Sequence, residues 1–270
     1  MASKARKVSV EQRPFTKRML TLTPKHRLWD VWADFITMFA CALSNRFDRA
    51  HYEEREAMYM RIIKKYDKDE QQVFPMLAAD LVEALDENPN QDFLGSAYME
   101  LELGNDHAGQ FFTPYDVCCA MASISGGRIP LEVMDKGFVS INDCACGAGA
   151  TLIAACHEAG KQLAIFGLNW QNHILVTAQD IDFLVGMMCY IQLSLIGAAG
   201  YVKIGNSLTD PMTKDDGAKN YWYTPMYFSD VWHWRRVWHS VDRLMQQPAD
   251  KCDEGEKLHD AVPGKEEAND

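Results

Sequence analysis

From Phe138 onward the chain alternates short β-rich runs with apolar helical ones, an order that few folds accept. Residues 138–142, 174–178 and 201–204 read as strands, with helices over 150–159 and 183–196 between them. Strands separated by helices cannot pair as hairpins, so the pattern predicts an α/β fold with a parallel, doubly wound, Rossmann-like sheet. Ligands of such sheets bind beyond the carboxyl ends of the strands. Attention therefore falls on residues 143–149 and 179–182, the segments that follow the first and second strands.

The first of these reads Asp143, Cys144, Ala145, Cys146, Gly147, Ala148, Gly149. Gly147 and Gly149 remove side chains where backbone must approach a ligand and then enter a helix. A carboxylate at the strand end disfavours a phosphate, so a cationic or hydroxyl-rich ligand suits Asp143 better. Asp180, directly after the second strand, is placed to accept hydrogen bonds from ribose hydroxyls. Asp182 reads as the cap or first-turn acid of the helix beginning at Phe183. Upstream lies a second distinctive run, Gly109, Gln110, Phe111, Phe112, Thr113 and Pro114, where Pro114 stands at a helix start.

The remaining chain reads as a helical preface and two charged ends. Apolar residues recur at helical spacing over 28–66 and again over 74–85, where Asn88, Pro89 and Asn90 bring a stop. The expected organisation is a basic, disordered arm over 1–27, a helical region over 28–108, a cofactor-binding domain over 109–246 and an acidic, disordered tail over 247–270. The arm has a second reading as a DNA contact. A net charge of −11 argues against a protein that coats nucleic acid unaided. The cysteines lie in apolar segments without metal-site spacing, so thiols in a reducing, cytoplasmic setting are expected, with no metal. No apolar run has the length of a membrane span, and the first residues lack the apolar core of a secretion signal.

Taken together, Gly109 to Pro114 and Asp143 to Gly149 resemble the cofactor motifs of N6-adenine-specific DNA methyltransferases, above all the modification subunit of type I restriction-modification systems. Those motifs read Gly-Gln-Phe/Tyr-Phe-Thr-Pro and Asp-Pro-Ala-Cys-Gly-Ser/Thr-Gly. The second keeps Asp143, Ala145, Cys146, Gly147 and Gly149, with Cys144 in place of proline and Ala148 in place of a small hydroxyl residue. The resemblance runs from about Asp92 to Pro211 and implies S-adenosylmethionine as cofactor and DNA as substrate. It places Phe111, Phe112, Thr113 and Pro114 at the methionine end of the cofactor. Asn206, in Gly205-Asn206-Ser207-Leu208, falls beside the adenine ring.

The family's catalytic tetrapeptide, Asn/Asp-Pro-Pro-aromatic after the fourth strand, is absent. At the expected distance stand Thr224, Pro225, Met226 and Tyr227. Under the degenerate reading Thr224 orients the exocyclic amine, Pro225 shapes the turn and Tyr227 stacks on the flipped base. Under the plain one the segment is a buried strand-edge turn. The half of the sheet that follows the catalytic motif is also missing, so the domain reads as truncated. The helix over 229–246 carries Trp232, Trp234, Trp238, Arg235 and Arg236, a mixture suited to nucleic-acid contact or to packing on a sheet or partner. Two functions follow: direct methyl transfer to adenine N6, or cofactor binding by a catalytically incomplete regulatory or assembly subunit. Either needs a protein partner for target recognition, and a substrate such as RNA or protein is a third option.

Overall fold

Four strands form one sheet in the order β1 (Val139–Asp143), β2 (Ile174–Asp180), β3 (Ala199–Ile204) and β4 (Tyr221–Tyr223). The computed structural model describes residues 13–103, 112–213, 216 and 219–245. β1 and β3 each pair with β2 in parallel, as the strand–helix alternation predicts, whereas β4 runs antiparallel to β3. Helix α8 (Ala150–Ala164) joins β1 to β2, and α9 (Phe183–Leu195) joins β2 to β3. Both crossovers advance in the same direction along the sheet, so the right-handed rule puts both helices on one face. That is one winding of a doubly wound fold.

Helix α9 is apolar on nearly every side, and Val185, Met187, Met188, Cys189, Tyr190, Ile191 and Leu193 are all buried. Such a helix needs cover on both sides. The sheet covers one, and α2 (Leu28–Asn45), also rich in buried apolar residues, covers the other. Trp222 on β4 faces this layer, edge-on to Phe183 and tilted against Tyr190. Tyr201, Tyr221 and Tyr223 alternate to the opposite face and pack ring to ring there, joined by Tyr227. β1 has no second strand partner among the described residues, and its Ser140 and Asn142 are exposed.

The helical preface departs from expectation in two places. The span 28–66 is interrupted: α2 ends at Asn45, a short 3-10 turn spans Arg49–His51, and α3 covers Tyr52–Ile63. The break lets Asp48, almost fully buried, accept hydrogen bonds from His51 and Arg55. The basic arm is likewise folded over its described part. Helix α1 (Pro14–Leu20) buries Phe15 against Trp32, Phe35 and Phe93, while Arg18 pairs with Asp80 and Lys25 with Asp67 and Glu70. Arg18 and Lys25 are thus matched by acids on α4 (Lys68–Glu87) and its cap, and Arg13 by Glu100. Sequence proximity could not show that pairing. The preface ends in α5 (Phe93–Glu100).

Between α5 and β1 come α6 (Tyr115–Ser125) and α7 (Ile129–Lys136), and after β4 comes α10 (Asp230–Met245). Contacts divide the chain into two units, Met1–His233 and Trp234–Asp270. In the first, Trp232 is buried, donates its indole N–H to the Gln171 carbonyl at 2.8 Å and stands edge-on to Phe138. In the second, Trp234 and Trp238 are exposed. The tail over 247–270 lies outside the described residues. No single helix among the described residues is long and apolar enough to cross a membrane.

Candidate cofactor site

The loop between β1 and α8 is held by two carboxylates that grip alternate backbone amides. Asp143 Oδ1 accepts the Ala145 N–H at 3.1 Å, and Asp180 Oδ2, reaching across from the end of β2, accepts the Gly147 N–H at 2.9 Å. The second Asp143 oxygen accepts the Thr151 hydroxyl from the first turn of α8, and the second Asp180 oxygen accepts the Asp182 N–H at 3.0 Å. Each carboxylate oxygen has about two lone-pair directions, so both groups keep acceptor capacity for a ligand. No ion pair neutralises Asp143 or Asp180 among the described residues.

The loop amides at 145 and 147 are thus already committed to carboxylates. A glycine loop that cradles phosphates keeps its amides free and avoids acids. This loop does the reverse. Its chemistry suits ligand hydroxyls and cationic groups, and the two half-buried acids at the strand ends provide the acceptors.

Gly147 and Gly149 have φ of +55° and +96°, in the region that side chains strain to enter. A Cβ at Gly149 would also lie 2.9 Å from Cys189 Sγ. Cys146 is buried and serves through its backbone, donating to the Gln179 carbonyl at 3.0 Å and accepting the Gly149 N–H at 2.9 Å. Its thiol neighbours Cys189, and that proximity, together with burial, holds the Cys189 thiol well above its ordinary pKa. Cys146 therefore braces the loop from beneath, and Ala145 is exposed on its outer side.

Of the upstream motif, Gly109, Gln110 and Phe111 lie outside the described residues. Phe112 stands over the glycine loop: a Cβ on Gly147 would be 3.4 Å from its ring, and the ring is edge-on to Tyr98 of α5 at 5.3 Å. The two motifs, distant in sequence, meet there. Thr113 and Pro114 are exposed, and the Pro114 carbonyl opens α6 by accepting from Val117 and Cys118. Asp182 caps α9 through the Val185 N–H, as its position implies. Asn206 forms a side-chain turn with Leu208 and Thr209 after β3, at the same end of the sheet.

Thr224, Pro225 and Tyr227 are not at that end. Because β4 is antiparallel, its last residue pairs back toward the start of β3: Tyr223 lies opposite Tyr201, and the Thr224 N–H donates to the Gly200 carbonyl. The loops beyond Asp180 lie at the level of Ile204 and Thr224 at that of Gly200, so the two are roughly 13 Å apart along the sheet at about 3.3 Å per residue. Thr224 is fully buried, and its hydroxyl donates to the Ala198 carbonyl at 2.7 Å while accepting the Gly200 N–H at 3.0 Å. Tyr227 packs on Tyr223 with ring centroids 4.8 Å apart. The degenerate catalytic reading of this segment is corrected accordingly. The residues form a strand-edge clasp, with the Thr224 hydroxyl held between two backbone groups and away from the cofactor loops.

Three residues of the loop's support escape the sequence pattern: Thr151, Asp92 and Gln192. Gln192 alone left a trace, as an amide within an otherwise apolar stretch of helix, where a buried polar group demands partners. Among the described residues no cluster of three or more His, Cys, Asp or Glu side chains is placed to hold a metal.

A family model for N-6 DNA methylase matches residues 90–256, a span that begins just before α5 and contains both motifs and the whole sheet. No curated protein and no solved structure matches the chain.

Proposed function

The chain belongs to the N-6 DNA methylase family, and on that premise we propose that it binds S-adenosylmethionine at the β1, β2 and β3 loop ends and serves adenine-N6 methylation of DNA. The bound cofactor would supply an electrophilic methyl group on a sulfonium. Gly109, Gln110, Phe111, Phe112, Thr113 and Pro114 would line its methionine end, with Asp143, Ala145, Cys146, Gly147 and Gly149 forming the floor. Asp180 would accept from the ribose hydroxyls, and Asn206 would flank the adenine. The observation that carries this reading is the grip of Asp143 and Asp180 on the Ala145 and Gly147 amides, which leaves acceptors rather than donors facing a ligand.

A second reading, of a cofactor-holding subunit whose methyl-accepting side comes from a partner chain, draws on the position of Thr224 and Tyr227. They stand at the opposite end of the sheet from the loops, and β1 has an open edge among the described residues. Under it, an amine-orienting group and a base-stacking aromatic face come from the partner.

Equilibrium binding of radiolabelled S-adenosylmethionine, followed by label transfer to unmethylated DNA, tests both. The parent is expected to bind, and Asp180→Ala to lose affinity by at least about tenfold, since the loop clasp and the ribose acceptor go together. Transfer by the chain alone supports the enzyme; binding with transfer only on addition of a partner supports the subunit. Absence of binding by the parent overturns both.

A further inference from the structure

Gln192 lies in the middle of α9, fully buried, and every polar atom of its side chain is used. Its amide nitrogen donates to the Ala148 carbonyl in the glycine loop at 2.8 Å and to Asp92 Oδ1 at 2.9 Å. Its amide oxygen accepts the Leu94 N–H at 3.0 Å. Asp92 Oδ1 in turn accepts the Gly95 N–H at 2.9 Å, capping α5. One side chain therefore joins the glycine loop to the first turn of the helix before the upstream motif. At the last turn of the same helix Tyr98 meets Phe112, and Phe112 stands over Gly147. Helix α5 is consequently fastened to the loop at both ends, by a hydrogen-bonded fork at one and an aromatic contact at the other.

We infer that Gln192 is a positioning residue for cofactor binding, one that sets the distance between the Phe112 wall and the glycine floor by locking α5 to Ala148. It touches no ligand itself. The inference rests on the reading that this loop binds S-adenosylmethionine. The fork needs two donors and one acceptor on one planar group, which glutamine supplies and no apolar or carboxylate side chain does. Asp92 acts as an acceptor only, so asparagine can take its place. Without the fork, loop and wall must be ordered by the cofactor as it binds, at the expense of affinity.

The test is calorimetric titration of S-adenosylhomocysteine into the parent, Gln192→Met and Asp92→Asn, at a temperature well below the unfolding midpoint of each. Gln192→Met is expected to bind about tenfold more weakly or worse, with Asp92→Asn close to the parent. A purely structural role would lower the unfolding midpoint of Gln192→Met and leave its affinity unchanged, which overturns the inference. Failure of the parent to bind removes the cofactor reading itself and the inference with it. Should Gln192→Met not fold, amide hydrogen exchange of the parent decides. Added S-adenosylhomocysteine should slow exchange at Leu94 and Gly95 relative to α3, and unchanged exchange at those two amides overturns the inference.

Discussion

Gly149 combines two constraints that no other residue type meets, a φ of +96° and a Cβ position 2.9 Å from Cys189 Sγ. Gly149→Ala is expected to destabilise the fold by about 1–3 kcal/mol through backbone strain and overpacking, as read from urea unfolding. Asp92 offers a pH-dependent counterpart. Burial raises its pKa, against the opposing hydrogen bonds from Gln192 and Gly95. A carboxyl with a folded-state pKa above its unfolded value of about 3.9 is destabilising when ionised, and the penalty fades as pH falls through the folded pKa. Asp92→Asn should therefore be no less stable than the parent at pH 7. It should lose ground as pH is lowered toward 4, where the parent alone gains from protonation; thermal unfolding across that range measures the difference. Residues of the loop itself were legible because backbone geometry dictates them: Gly147 and Gly149 for conformation, Asp143 and Asp180 for strand-end position. Gln192 and Asp92 were not, since a buried amide announces only that partners exist. Which partners they are depends on where α5 comes to rest.

Among the elements, the succession β1–α8–β2–α9–β3 was legible, with ends within two residues except for α8, which runs five residues past its expected end, because period and flanking glycines mark each segment. The direction of β4 was not. Alternation places Tyr221 and Tyr223 on one face and Trp222 on the other whichever way the strand runs, and the candidate catalytic role of Thr224 depended on that direction. The reversal follows from the loop between β3 and β4, where Lys203, buried on β3, bonds Asp210, Asp216 and the Pro211 carbonyl. Burial works against the Lys203 charge, yet the hydrogen bonds it donates to these acids outweigh it and raise its pKa. This anchorage folds the segment after β3 back on itself, and β4 returns alongside. Thr224→Val tests the assignment of Thr224 as a clasp. Removing its hydroxyl leaves the Gly200 N–H without its partner in a buried position, at an expected cost of about 1–3 kcal/mol in urea unfolding. S-adenosylhomocysteine affinity should not change, whereas a loss of affinity equal to that of Asp180→Ala would put Thr224 back in the site.

At the scale of the whole molecule, the helical preface and the sheet share one core. One continuous apolar cluster runs from Phe15 and Trp32 through Leu94 and Tyr98 to Ile153, Val176 and Trp222, so the helical layer and the sheet have no independent interiors. Arg55 joins them from the polar side: it pairs with Asp48 at 2.8 Å, donates to the Tyr221 carbonyl on β4 at 2.7 Å and lies 3.9 Å above the Trp222 ring. Asp48 and Arg55 are both almost fully buried, and removal of the cation leaves the Asp48 carboxylate in the interior with His51 as its remaining side-chain partner. Arg55→Met should consequently cost about 3–5 kcal/mol. The shape of the transition is the more discriminating measurement. A preface docked as a separate domain would, once its tie is cut, unfold ahead of the sheet, and far-UV circular dichroism, weighted to the helices, would fall before the fluorescence of Trp222. With one shared core, neither layer keeps a buried interior without the other. The two signals should therefore stay coincident in Arg55→Met as in the parent, followed in variants whose other tryptophans are replaced by phenylalanine, and only the midpoint should move.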